Sequence, residues 1–389
     1  MGRWLGVLCM AWVLGGCGAA PPPAPRARRV VVISLDGFRH DYPDRVATPT
    51  FERLAREGAR ADRLIPPDPS LTFPGHASLA TGVRPPRHGI LANRFHDRVR
   101  GNYAYEDDPG WYEVPPLWIH ATRQGLRTHV YHWVGSGGAW QGTAPAVWYP
   151  FDKIPDDRKI DQILQWLTAP EPERPRLVMS YLAGCDHVGH EHGPDSPEVT
   201  ACIAETDARL GRLLAGLAAL AEPVTLLVVS DHGMTTTTGE VDPRPAFTAL
   251  SPPPQVVIQG PTAHVYLAPG QDADAAAEQA RALPHTRVSR PTGAERHPAR
   301  TGDLVLHADF GVIYRVPKPG QSTLPGHHGG DPLHPDMGAV FFAWGAGVEA
   351  GATPEQPRAI DLVPTVCALL GIAPPEGVEG VVVPGLLGR

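Results

Sequence analysis

At 389 residues, 42% hydrophobic and 19% charged, the chain is too long and too apolar for a disordered or fibrous segment, and can fill one large core or two domains. Its 34 Lys and Arg are scattered among 41 Asp and Glu, for a net charge of −7, which excludes the basic face of a nucleic-acid groove. The 42 glycines and 45 prolines fall without a period and mark turns rather than a repeat, while 18 histidines are an unusual supply of ligating groups.

The chain opens on a targeting segment. Arg3 precedes an apolar run, 5–14, too short to span a bilayer, and Leu14-Gly15-Gly16-Cys17 resembles a bacterial lipoprotein signal. That resemblance implies cleavage before Cys17 and lipidation of its thiol; a secretory signal cut near Gly18-Ala19-Ala20 is the alternative. Loss of Arg3 takes the net charge from −7 to −8. Residues 17–29, rich in Pro and Arg, then tether a domain covering 30–389 to the cell envelope. Gly18 after Cys17, where an aspartate would retain the protein in the inner membrane, points to the outer membrane and a periplasmic face. Cys9 is lost with the signal and Cys17 is used as the anchor. Cys185, Cys202 and Cys367 are then an odd, widely spaced set, and no disulfide framework is expected.

Residues 30–35, Val-Val-Val-Ile-Ser-Leu, read as a buried parallel strand that ends at Asp36-Gly37. A carboxylate at the carboxyl end of such a strand is where open α/β sheets place ligands, although a helix-capping aspartate reads the same way. Thr48-Pro49-Thr50 caps a helix over 51–58. In Ser70-Leu71-Thr72-Phe73-Pro74-Gly75, a lone threonine precedes a small-residue run that starts a helix. A threonine hydroxyl is a poor nucleophile unless a base or a metal lowers its pKa. Asn93, in a Gly-containing loop, is either a turn residue or an amide donor toward an oxyanion.

A helix over 117–125 leads to a second strand, 128–133, and a loop over 135–142; residues 156–167 are an amphipathic helix. The third strand, 177–182, runs into Cys185-Asp186-His187-Val188-Gly189-His190, where Asp186 and His190 share a metal if the backbone turns helically. A long helix over 198–220 follows, capped at 194–197. The fourth strand, 225–230, ends in Asp231-His232-Gly233, whose neighbouring side chains meet one ion only if the backbone turns. Residues 235–325 read as an inserted subdomain with short strands at 256–258 and 263–267 and a helix over 272–283. Gly326-His327-His328-Gly329-Gly330-Asp331 returns to the site, 337–345 is a further core strand, and 360–370 is a closing helix ended by Gly371.

Asp36, Thr72, Asp186 with His190, Asp231 with His232, and His327 or His328 thus gather at strand ends. Mixed Asp and His donors fit Zn²⁺ or a similar ion. Seven such groups exceed one tetrahedral zinc and fit two ions about 4 Å apart, the arrangement of phosphoryl transfer.

The chain resembles the nucleotide pyrophosphatase/phosphodiesterase family of the alkaline phosphatase superfamily. The matching pieces are Ser34-Leu35-Asp36-Gly37, Thr72-Phe73-Pro74, Thr81-Gly82, His88-Gly89-Ile90, Asn93, Pro116-Leu117-Trp118, Asp186-His187-Val188-Gly189-His190, Gly193-Pro194-Asp195, Asp231-His232-Gly233-Met234 and His328-Gly329-Gly330-Asp331, collinear over nearly all of the mature chain. The resemblance implies an alkaline-phosphatase-like three-layer α/β/α fold with a mostly parallel sheet and two Zn²⁺. One zinc would be held by Asp36, Asp231, His232 and the Thr72 oxygen, the other by Asp186, His190 and His328. It further implies a phosphothreonine at Thr72, oxyanion stabilisation by Asn93 and the Thr72 backbone N–H, and Phe73 and Tyr181 packing a leaving nucleoside. Substrates would be small phosphodiesters of nucleotide or phospholipid-headgroup type, selected by the inserted region. Gly75 departs from the asparagine usual in the family at that position. The competing readings are a phosphomonoesterase or phosphonate hydrolase on the same scaffold, and a non-catalytic binding lipoprotein. Arg84 and Arg87 follow the nucleophile without the Lys-x-Arg-like pattern that a dianionic monoester favours.

Overall fold

Val30 and Val32 pack into one hydrophobic cluster and Val31, Ile33 and Leu35 into another, all of them fully buried, because the first strand is covered on both faces. The computed structural model describes Gly2 and residues 29–150 and 154–388. The targeting segment, the Cys17 anchor and the tether up to residue 28 lie outside the described residues. Among the described residues no helix is long and apolar enough to cross a membrane.

Strands β1 (Arg29–Leu35), β2 (Ala59–Arg60), β3 (Thr128–Tyr131), β4 (Val147–Tyr149), β5 (Leu177–Leu182), β6 (Val224–Val229) and β7 (Phe341–Gly345) form one sheet in the order β2-β7-β6-β1-β5-β3-β4. The five strands from β6 to β4 run parallel, and β7 is antiparallel to both its neighbours. Val30 lies opposite Leu177 on one side and Thr225 on the other, so β5, β1 and β6 end level with one another. Asp36, Asp186 and Asp231 therefore emerge at the same edge, the carboxyl end of a parallel sheet.

The helices around the sheet are α1 (Pro49–Glu57), α2 (Thr72–Thr81), α3 (Leu117–Arg123), α4 (Asp156–Thr168), α5 (Asp186–His192), α6 (Pro197–Ala218) and α7 (Leu362–Leu370). Phe73, Ala77 and Leu79 of α2, Trp118 of α3 and Val363 of α7 cover the Val30 face. Phe51 of α1, Ile160 and Ile163 of α4 and Ile203, Leu210 and Leu213 of α6 cover the Val31 face. This is the three-layer α/β/α architecture with a mostly parallel sheet expected from the sequence.

Several local readings change. Thr48 does not cap α1, because its hydroxyl donates to the Pro43 carbonyl; the buried Asp207 carboxylate of α6 accepts from the Thr50 and Phe51 amides instead. A tertiary cap of this kind has no local signature. Residues 337–340 precede β7 rather than belonging to it, with Pro335–Met337 forming a 3-10 turn. Ser196 caps α6 as the sequence indicates, accepting from the Val199 amide at 3.2 Å. Against the expectation of no disulfide, Cys185 and Cys202 are bonded, and Cys367 is buried and free.

Between β6 and β7 the chain builds a second, antiparallel sheet from Gln255–Gln259, Thr262–Tyr266, Leu304–Ala308 and Thr286–Ser289, with its own cluster around Ala263, Val265, Leu304 and Leu306. Arg300 pins this segment to the main sheet's loops. It is 2% exposed and donates to Asp97 Oδ2 at 2.8 Å, Glu113 Oε1 at 2.6 Å, and the Gly89 and Trp111 carbonyls at 3.0 and 2.9 Å.

Candidate active site

Asp36 follows β1 directly. Asp231 and His232 follow β6 by two and three residues. Asp186 is the first residue of α5 and His190 lies one turn on, so the helical turn expected of that pair is present. His328 follows directly on the short strand Gly326–His327, which pairs with Thr235–Thr236. Thr72 is the first residue of α2, after Leu71 in extended conformation: the helix start expected of this stretch is present, but its grouping with the strand-end ligands is not, since no strand leads into it. The second predicted strand, β3, likewise contributes no Asp, Thr or His of the expected set.

Three histidines present the same edge inward. His232 Nδ1 donates to the Gly233 carbonyl at 2.8 Å, His190 Nδ1 to Gly326 at 2.8 Å and His328 Nδ1 to Ser70 at 3.0 Å. A carbonyl only accepts, so each Nδ1 carries a proton and each Nε2 is the nitrogen turned toward the site. His232 Nε2 is 3.1 Å from Asp231 Oδ2, 3.5 Å from Asp36 Oδ1 and 3.2 Å from Thr72 Oγ1. Asp186 Oδ1 is 3.4 Å from His190 Nε2 and 3.5 Å from His328 Nε2. The His232 and His328 rings stack with centroids 3.5 Å apart, which sets the two groups side by side.

Asp36 Oδ1, Asp186 Oδ1 and Asp231 Oδ2 are buried oxygens with no hydrogen-bond donor. Carboxylate oxygens in this condition are costly unless a cation meets them. Asp36, Asp231 and His232 offer ligand atoms within 4.8 Å of one another, as do Asp186, His232 and His328. Burial, with repulsion from Asp231 and Asp186, raises the Asp36 carboxyl well above its ordinary range. Burial opposes the charge on Asp231 too, but His232 and His76 hold that carboxyl well below the usual value. Burial and the neighbouring His232 and His190 push His328 far down, which keeps its imidazole neutral, the form that ligates.

Asn93 is oriented by the first turn of α2: its Oδ1 accepts from the Phe73 amide at 2.9 Å, leaving the NH₂ end as the donor. Phe73 is buried and meets Tyr105 edge-on at 5.1 Å and Tyr103 at 6.2 Å. Tyr181 departs from the role expected of it. Its side chain lies buried in β5 beneath the site, and its hydroxyl donates to Asp36 Oδ2, so the ring supports a carboxylate rather than facing an open pocket. His327, the alternative to His328, turns its Nδ1 to Thr237 Oγ1 at 3.0 Å instead.

Two contributors escape the sequence reading. His76 is fully buried one turn after Thr72, and its Nδ1 lies 2.9 Å from the Thr72 carbonyl and 3.3 Å from Asp231 Oδ2, tying the nucleophile helix to a ligand. The spacing of four from Thr72 was the available signal. Tyr105, about half exposed beside Phe73 with Arg94 over its ring at 5.0 Å, had none.

Gly75 acquires a reason here. A Cβ at this position would sit 2.8 Å from both the Asp231 Cβ and its carbonyl oxygen, so α2 packs closer to that ligand than a side chain permits. Gly75→Ala is expected to lower stability by about 1–3 kcal/mol through overpacking, read as a fall in the thermal midpoint, and to weaken metal binding with it. An unchanged midpoint would show that the helix can retreat freely.

With this geometry in hand, comparison with known proteins is decisive. The family model for type I phosphodiesterase / nucleotide pyrophosphatase matches residues 30–331. The chain belongs to that family. Ectonucleotide pyrophosphatase/phosphodiesterase family member 1 of Rattus norvegicus is 28% identical over 400 residues, covering 94% of this chain and 43% of that protein. An uncharacterized pyrophosphatase/phosphodiesterase of Schizosaccharomyces pombe is 39% identical over 219 residues, covering 54% of this chain and 45% of that one. The chain thus matches less than half the length of these two curated relatives. Among solved structures, murine ectonucleotide pyrophosphatase/phosphodiesterase 5 superposes with a TM-score of 0.84 at 27% identity, covering 92% of this chain and all of that one. An inactive threonine-to-alanine variant of the same murine protein, in complex with AMP, gives 0.82 over 90% of this chain and 96% of that one. The alkaline-phosphatase-like fold of the phosphodiesterase family is therefore the fold of this chain.

Proposed function

We propose that this phosphodiesterase-family chain hydrolyses phosphodiester or pyrophosphate bonds with Thr72 as nucleophile and two zinc ions as cofactors. The observation that carries the reading is the gathering of three donorless carboxylate oxygens and three histidine Nε2 atoms into two adjoining groups, one of which reaches Thr72 through His232. Asp36, Asp231, His232 and Thr72 would hold one zinc and Asp186, His190 and His328 the other. Two such ions supply charge neutralisation for the phosphoryl group and lower the pKa of the hydroxyls around them.

The protein's own groups do the rest. Thr72 Oγ1 forms a bond to phosphorus as the bond to the leaving oxygen breaks. Water then cleaves the phosphothreonine in a second in-line displacement, so configuration at phosphorus is retained overall. The Asn93 NH₂ and the Thr72 backbone N–H, free at the first turn of α2, donate to the non-bridging oxygen. Asn93 is preset for this by the Phe73 amide, so orientation is not lost at the moment of reaction.

Small diesters of nucleotide type fit best. The aromatic pair Phe73 and Tyr105 beside the nucleophile supports a flat leaving or retained group. Arg84 and Arg87 are both engaged by the C-terminal segment, at Glu379 and the Gly377 carbonyl, which argues against a site built for a dianionic monoester. The lipoprotein signal Leu14-Gly15-Gly16-Cys17 supports a lipid-anchored form in the bacterial envelope, facing the periplasm, with 17–29 as tether and 235–325 as the insert that selects substrates.

The test is hydrolysis of a nitrophenyl phosphodiester and the matching monoester by residues 26–389 with zinc. Diester turnover is expected to exceed monoester turnover and to vanish with chelator, returning when zinc is restored. Monoester preference would place the chain among the phosphatases of this fold, and zinc binding without turnover of either would favour a binding protein.

A further inference from the structure

Two of the three ligands proposed for the second zinc, Asp186 and His190, sit on α5, a helix of only seven residues. So short a helix is marginal by itself and depends on tertiary packing. Packing is thin: only Gly189 is fully buried, Val188 is a half-buried contact with the Val31-face cluster, and His187, Glu191 and His192 face solvent. A further side contact of α5 is a close approach of Gly326 to the Gly189 carbonyl, where a Cβ would come within 2.2 Å, and His190 Nδ1 donates to the Gly326 carbonyl. Its amino-terminal end is held differently. Cys185, the residue before Asp186, is 1% exposed and bonded to Cys202 of α6, 17 residues on. Helix α6 is the opposite of α5: it has 22 residues, with Ile203, Leu210, Leu213, Leu214 and Leu217 buried against the sheet. The Cys185 amide also donates to the Asp36 carbonyl at 3.1 Å, so one residue touches the loops of both proposed metals.

We infer that the Cys185–Cys202 disulfide is the positioning device of the second metal site, fixing α5 so that Asp186 and His190 face His328. The inference rests on the two-zinc reading above. The disulfide takes its rigidity from α6 and passes it to a ligand helix that has almost no core of its own. Cys202 is 9% exposed, so the bond is sheltered and acts as a permanent brace. A chain made in a reducing compartment would then fold with its first zinc site formed and its second slack.

The experiment is zinc binding by the full oxidised domain, titrated against a chromogenic chelator, beside Cys202→Ser. Wild type is expected to hold two zinc ions. The variant is expected to keep the first at wild-type affinity and to bind the second roughly 10- to 100-fold more weakly, the range seen when groups supporting metal ligands are removed. Cys367→Ser, which alters the buried free cysteine, should leave both unchanged. If Cys202→Ser does not fold, the folded wild type is reduced with a water-soluble phosphine, which with one water yields the phosphine oxide and the two thiols, and the same comparison is made. Second-site affinity equal to wild type would overturn the inference, as would equal weakening of both sites together with a lower melting temperature. A wild type that takes up fewer than two zinc ions would instead overturn the two-metal reading itself, and this inference with it.

Discussion

Thr72→Ala should abolish phosphodiester turnover, by about 10³-fold or more, while zinc content and thermal midpoint stay at wild-type values. The size of the effect follows from the role: loss of a nucleophile stops the covalent route, and the residual rate comes only from the remaining electrostatic and binding contributions. The preserved fold follows from the surroundings. His232 is oriented through Nδ1 by the Gly233 carbonyl, Asn93 by the Phe73 amide and Asp231 by the Gly37 amide at 3.2 Å, none of which needs the Thr72 hydroxyl. His76 bonds the Thr72 main-chain carbonyl, which alanine retains. Thr72→Ser keeps the oxygen but loses the β-branch that restricts its rotamer, so it should retain turnover within about 10- to 100-fold. Phosphothreonine trapped by acid quench in wild type and absent from Thr72→Ala gives an independent readout. Turnover preserved in the alanine variant would remove Thr72 from the mechanism, and loss of zinc in it would mean that the side chain acts mainly as a ligand.

The parts of this site that the sequence made legible share one physical feature, a local pattern. Asp36 and Asp231 stand just beyond apolar β-branched runs, and such runs end at a sheet's ligand-binding edge. Asp186 and His190 share a helical spacing. What stayed hidden depends on contacts distant in the chain. The choice of His328 over His327 came from family resemblance, and the structure shows its cause: adjacent residues of an extended segment face opposite sides, and only His328 reaches the Ser70 carbonyl and Asp186. Tyr181 was misplaced because every residue of β5 is buried, so alternation could not say which face its ring took. The Asp207 cap of α1 is 157 residues from Thr50. The edge strands β2 and β4, of two and three residues, are too short to carry a period. The cysteine pairing joins a helix start to the interior of another helix, and an odd cysteine count concealed it.

Arg300→Ala should destabilise the protein by about 3–5 kcal/mol, more than any surface change, because it breaks a buried ion pair and strands its partners. The guanidinium fills four acceptor positions at once, two carboxylates and two carbonyls, and Asp97 beneath it is 2% exposed. Arg300→Lys should recover little, since one ammonium on a flexible stem cannot reproduce that planar fork. Acid offers a second readout with a definite sign. Burial works against the charge on Asp97, but Arg300 and the amides of Val99 and Arg100 hold its carboxyl down to about 2 from an ordinary 3.8. A folded-state pKa below the unfolded one stabilises at high pH, so this contribution is complete above about pH 4 and lost as pH falls toward 2, worth about 2 kcal/mol. In Arg300→Ala that acid-dependent loss should shrink to the share owed to the two amides. Chemical unfolding at neutral pH and near pH 3 measures both effects. A neutral-pH midpoint equal to wild type would mean that the segment between β6 and β7 is held to the main sheet by its other contacts, and that the Arg300 cluster is a consequence of docking rather than its cause.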